Sequence, residues 1–143
     1  MKNIYNWKKD GWAIQTFRQK VFNQGPTLII LKTTQGEICG GYTSKNWDGS
    51  CKYTTEIDAF VFNMTQKYIP NNHQKAIFTE PNGFCFGDGI LGVKSDSTLN
   101  NHNEGECWTG TGKFYDIEGD VSPLTNQKDS FTCAELEVYK VLY

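Results

Sequence analysis

The sequence predicts a mostly β protein, folded as an antiparallel sandwich with one helix near its N-terminus. Three observations lead there. Runs of strand length rich in β-branched, apolar and aromatic residues recur along the chain, among them TLIILK, EICGGYT, AFVFNM and AELEVYKVLY. Aromatic residues make up 14% of the chain and there are 14 glycines, a composition that suits strands joined by many turns. One segment alone has helical spacing, and it precedes the strands instead of alternating with them, which argues against a doubly wound parallel sheet.

The helix is expected over Asp10 to Asn23, where Ile14, Phe17 and Val21 fall on one face. Arg18 and Lys20 lie in its C-terminal half and suit the helix dipole, and Gly25-Pro26 is expected to end it, with Gly25 at the left-handed position. Thr27 to Lys32 then reads as a buried strand. The turn TTQGE joins it to a second strand, Glu37 to Thr43, the clearest hairpin in the chain. Gly40-Gly41 within that strand implies a bulge, or the close approach of another backbone or a bulky ring. Ser44 to Asp58, with Trp47, reads as loop, and Ala59 to Met64 as a strand. Lys67 to Gln74 is expected to turn, and Ala76 to Thr79 to form a short strand. The Asn-rich stretch Ser95 to Glu106 reads as loop. CWTGTG and KFYDI are candidates for short or edge strands, Asp120 to Ser130 is a loop around Pro123, and Ala134 to Tyr143 is a central strand with apolar side chains on both faces.

At 143 residues the chain is expected to form one domain over 1–143, large enough to bury a core without covalent staples. No apolar run approaches the length of a membrane helix, and MKNIYNWKKDGW lacks the apolar centre of a signal peptide, so no membrane insertion and a cytoplasmic location are expected. Five cysteines fit that setting: their number is odd, none forms a C-x-x-C pair, and mostly buried, reduced thiols are expected. His73 and His102 lack zinc-ligand spacing to any cysteine. A pI near 5.6 and the lack of a basic stripe with interleaved aromatics disfavour nucleic acid. Charge is nonetheless uneven. Residues 1–32 hold six bases against Asp10, and 116–137 hold six acids against Lys128, a polarity able to steer a protein partner or to be spent between the two ends.

One motif invites a sharper reading. FGDGILGV, Phe86 to Val93, contains a literal G-x-G-x-x-G at Gly87, Gly89 and Gly92. A dinucleotide turn needs a helix after the glycines, and VKSDSTLNNHNEGE has no helical apolar spacing. Asp88 would also repel a phosphate. The glycines are expected instead to permit positive φ and tight packing. Catalytic readings are thin. A Ser-His-Asp or Cys–His arrangement would have to recruit His73 or His102 from polar loops. Glu135 and Glu137, two apart on a strand, share a face and could form an acid/base pair, but exposed strand acids are far commoner. Strand aromatics could line a sugar-binding face, yet they more often fill cores.

Taken in order, IYNWKKDGW, GPTLIILKT, GEICGGYTSKNW, DAFVFNM, AIFTEPNGFCFGDG and FTCAELEVYKV resemble the TLDc domain, the C-terminal module of the oxidation-resistance proteins. The resemblance runs from about Ile4 to Val141. It implies a two-sheet antiparallel β-sandwich flanked by short helices. It implies no catalytic centre and no cofactor. It also implies a role in resistance to oxidative stress, through binding to the vacuolar-type proton-pumping ATPase and regulation of its assembly. Gly40, Gly41, Tyr42 and Trp47 match the family's GGY-to-Trp segment, Gly87 and Gly89 its FGxG turn, and Glu137 the glutamate of its closing strand. The chain departs from the family at Cys39, where a phenylalanine is usual, at Asp88, where a third glycine is frequent, and at Ile90-Leu91, where an Asp–Leu pair is frequent. The expectation is therefore a non-enzymatic interaction domain. The alternatives are a structural component of a larger, for example cytoskeletal, assembly and a protein that reacts with peroxide through its own thiols.

Overall fold

The computed structural model describes residues 1–11, 13–94 and 106–142. The described residues form two antiparallel sheets with a few short helices. The six-stranded sheet contains β1 (Lys2–Asn6), β2 (Thr27–Thr33), β3 (Ile38–Thr43), β5 (Phe60–Asn63), β6 (Lys67–Tyr68) and β11 (Cys133–Lys140), in the order β1-β11-β2-β3-β5-β6. The five-stranded sheet contains β4 (Tyr53–Thr54), β7 (Ile77–Phe78), β8 (Gly83–Phe86), β9 (Leu91–Lys94) and β10 (Glu106–Thr109), in the order β10-β9-β8-β7-β4.

Strand register explains where the core sits. Across the six-stranded sheet one inward row runs Tyr5, Val138, Ile29, Gly41, Val61, Tyr68. The first five of these are fully buried. Leu31, Cys39, Leu136 and Cys133 extend the same face. Phe84 and Phe86 on β8 meet it from the second sheet, and Trp47 fills the space beside them: its ring stands edge-on to Phe86 at 5.4 Å and tilted to Phe84 at 5.9 Å. Alternation along β2 leaves Leu28 and Ile30 half-exposed, so TLIILK has one face in the core and one outside it. β11 lies between β1 and β2, as a central strand should. Its core residues are Cys133, Leu136 and Val138, however, while Glu135 and Glu137 hold the outer face, so its apolar side chains do not occupy both faces equally.

Several elements differ from expectation. The helix is two helices, α1 (Trp7–Asp10) and α2 (Ile14–Val21). Asn6 caps α1 by accepting from the Lys8 and Lys9 amides, and Gly11, at φ 80°, breaks the chain's helical path. α2 buries Phe17 and Val21, with Phe17 edge-on to Tyr5 at 5.2 Å. It ends at Val21, and Asn23, at φ 61°, takes the first left-handed step; Gly25 is left-handed as expected, at φ 75°, but lies two residues too late to end the helix. β1 is unexpected because KNIYN has few apolar residues; β11 organises it through backbone pairing. β4 lies inside the expected loop Ser44 to Asp58. β6 and a 3-10 turn (His73–Lys75) lie inside the expected turn. β9 is unexpected too, since turn formers flank it. β10 is an edge strand in the predicted place, and Glu106 belongs to it and not to the loop; residues 95–105 of that expected loop lie outside the described residues. KFYDI forms no strand, only a turn and an isolated bridge between Pro70 and Tyr115.

Candidate functional site

The glycine positions singled out by sequence are packing positions. Register continues unbroken through Gly40 and Gly41 on both sides, so β3 has no bulge there. A ring approaches instead: a side chain on Gly41 would begin 2.5 Å from Phe86, and one on Gly40 would lie 2.7 Å from Phe62 and 1.9 Å from the Ile29 carbonyl oxygen. Trp47 is fully buried and donates from Nε1 to Thr27 Oγ1 at 3.0 Å. Gly41, Trp47 and Phe86 thus form one contact between the sheets.

FGDGILGV is a strand–turn–strand unit, β8 to β9, in which the last glycine, Gly92, lies on β9. Gly87 and Gly89 have φ of 62° and 89°. A Cβ on Gly87 would lie 2.2 Å from the Lys113 carbonyl oxygen, and one on Gly89 or Gly92 within 2.6 Å of the Trp108 indole. The amides a phosphate would need are already engaged: Gly87 donates to Ala76 at 2.8 Å, Asp88 to Lys113 at 3.3 Å and Ile90 to Phe86 at 3.0 Å. No nucleotide cradle forms, and the glycines accommodate Trp108 and the 113–115 segment.

The titratable groups divide clearly. Cys39, Cys85, Cys107 and Cys133 are buried and Cys51 is exposed. Burial pushes the thiols of Cys39, Cys85 and Cys107 up to about 12, and that of Cys133 upward as well, so these groups are thiols at neutral pH. His73 lies exposed in the 3-10 turn, and His102 is outside the described residues. Glu56 has no counterpart among the sequence candidates. Its side chain is buried, and it accepts from Thr43 Oγ1 at 2.5 Å, Ser44 N at 2.7 Å and Asp58 N at 2.8 Å. Burial alone would raise its carboxyl; the hydrogen bonds from Thr43, Asp58 and Ser44 outweigh it and hold the group below the usual range. Glu56 thereby ties the end of β3 to the loop before β5.

The remaining motif residues, Tyr42 and Glu137, lie on the outer face of the six-stranded sheet. One row across it reads Asn3, Tyr139, Leu28, Tyr42, Phe60, and the next Asn6, Glu137, Ile30, Gly40, Phe62, Lys67. Glu135, Lys32 and Ile38 follow. Leu28, Ile30, Ile38, Tyr42, Phe60 and Phe62 are all half-exposed. Tyr42 stacks on Phe60 with centroids 5.4 Å apart, and Lys67 Nζ sits 4.9 Å above the Phe60 ring. At one corner Ile30, Lys32, Ile38, Glu135 and Glu137 line a hollow of about 210 Å³. Glu137 accepts from Asn6 Nδ2 at 3.1 Å and from the Tyr139 hydroxyl. Glu135 pairs with Lys8 at 3.0 Å, and the Lys8 hydrogen bond holds its carboxyl below the usual range. This pair also joins the basic N-terminal segment to the acidic C-terminal one. The half-exposed apolar partners of Glu137 and Tyr42 escape sequence reading because TLIILK and AFVFNM look wholly buried. Their signal is continuity: an apolar run without alternation leaves a second apolar face. A larger cleft, about 710 Å³, opens between α1 and residues 132–134; Gly11 lines it, and Trp12, next in the chain, lies outside the described residues.

Among the described residues no helix is long and apolar enough to cross a membrane. A family model described as the TLDc domain matches residues 1–142. The chain is also similar to MTOR-associated protein MEAK7 of Gallus gallus, at 26% identity over 155 aligned residues, covering 96% of this chain and 31% of that protein. It therefore spans about a third of the relative's length.

Proposed function

Because the chain belongs to the TLDc domain family, we propose that residues 1–143 act as one non-enzymatic protein-interaction domain in the cytoplasm. Its target in this reading is the vacuolar-type proton-pumping ATPase, whose assembly it regulates as part of resistance to oxidative stress. The family match over 1–142 is the observation that carries the reading. The outer face of the six-stranded sheet supports it, since half-exposed apolar side chains ringed by charge have the make-up of a protein contact surface. The thiol-based alternative is weakened by the burial of four of the five cysteines, because the thiolate is the species that attacks peroxide. The relative's name associates it with MTOR, which makes that protein a second target to follow in the same experiment.

The test is affinity capture of the tagged protein from lysate of its own cells, probed for the pump's peripheral subunits and for MTOR. Co-purification of pump subunits, followed by a change in ATPase assembly when the protein is removed, is the expected result. Recovery of MTOR or of scaffold proteins without pump subunits would overturn the pump target.

A further inference from the structure

The hollow on the outer face has a chemistry that selects its occupant. Its floor is apolar, from Ile30 and Ile38, and its wall carries Lys32, the Glu135 carboxylate, already paired with Lys8 at 3.0 Å, and the Glu137 carboxylate. Glu137 is held by two neutral donors, the Asn6 amide and the Tyr139 hydroxyl. Those donors orient its carboxylate without bringing a charge of their own, and neither ion pair found among the described residues includes it. A half-buried carboxylate beside apolar surface gains more from a cation than a fully solvated one does. The volume, about 210 Å³, is below the roughly 300–1,000 Å³ usual for small-molecule sites and suits one long side chain.

We propose that this hollow receives an arginine side chain from a segment of a partner protein, whose neighbouring apolar residues lie on Leu28, Tyr42, Phe60 and Phe62. The inference rests on the interaction-domain reading above and gives it a surface. An arginine stem covers Ile30 and Ile38 while the planar guanidinium meets a carboxylate with two parallel hydrogen bonds, which a lysine cannot do. A second copy of this chain is a poor occupant: Arg18 is its single arginine, and it donates to the Pro81 carbonyl at 3.0 Å and to Asn82 Oδ1 at 3.1 Å.

The experiment is an amide NMR titration of the whole chain with the blocked tripeptide acetyl-Leu-Arg-Leu-amide. The same peptide with citrulline, the neutral isostere of arginine, is the comparison. Saturable shifts at Ile30, Ile38, Glu135 and Glu137 are expected, with a Kd on the order of millimolar. The citrulline peptide should bind about threefold more weakly. Glu137→Gln should erase that difference, whereas Glu118→Gln, an exposed acid elsewhere, should preserve it. Ile38→Ser should weaken both peptides, with melting curves confirming that each variant folds. Equal affinity for the two peptides, shifts on another face, or no saturation would overturn the proposal. So would shifts on this face that grow with protein concentration alone, which indicate a second copy, or that arise with phosphatidylserine vesicles, which indicate a membrane. Pump capture and this titration fail independently: loss of the first removes the target, loss of the second removes the surface.

Discussion

Gly89 combines a φ of 89° with an indole where its side chain would be, so it is constrained twice. Gly89→Val should cost about 3 kcal/mol or more, read as a fall in Tm. Gly36 separates the two constraints. Its φ is 93° but nothing lies within 4 Å, so Gly36→Ala should cost only about 1 kcal/mol. A parent-like Tm for Gly89→Val would mean that the FGDGILGV turn tolerates a side chain and that its glycines are not packing positions. Glu56 yields a pH prediction. Its folded pKa is lowered, so its contribution is complete above the unfolded value of about 4.5 and is lost as pH falls through the folded pKa. Glu56→Gln should cost about 2 kcal/mol near neutral pH, because an amide cannot accept from all three donors. The gap between variant and parent should narrow in denaturant titrations as the pH drops below 4.5. A gap that stays constant, or widens on acidification, would show that the carboxylate charge is not the stabilising element.

At the scale of elements, legibility follows length and pattern. β2, β3, β5 and β11 are readable because each is four or more residues long and includes β-branched or aromatic residues. β4, β6 and β7 have two residues each, too few for any period, and only β7 is foreshadowed, by KAIFTE. The helix is readable as a face, through Phe17 and Val21, but not as two pieces, since the break depends on Gly11 and on Asp10 turning back to accept from the Asn6 amide at 2.9 Å. Asn6 therefore works for three neighbours: it caps α1, ends β1 and holds Glu137. Asn6→Ala should lower stability by about 1 kcal/mol in urea unfolding. A cost below a few tenths would mean that β1–β11 pairing fixes α1 without the cap.

For the whole molecule, the two sheets meet through Gly41, Trp47 and Phe86, and four thiols are enclosed with them or behind the second sheet. A thiol titration with an aromatic disulfide reagent should show one fast-reacting group, Cys51, in the native protein and five after unfolding. Several fast thiols in the native protein would reopen the peroxide reading. Loss of stress protection in a variant with every cysteine changed to serine would do the same.

By itself the sequence determined the mostly β class, the hairpin of β2 and β3, and the place of the closing strand. It also excluded a nucleotide from FGDGILGV, since no helix could follow the glycines. Each of these depends on local pattern, which a single segment carries within itself. Tertiary structure alone decided which face of TLIILK is buried, which ring lies over which glycine, and that Glu137 stands beside Ile30 in a hollow. Those facts arise where strands far apart in the chain come into register, and a one-residue slip in that register would turn every side chain to the opposite face.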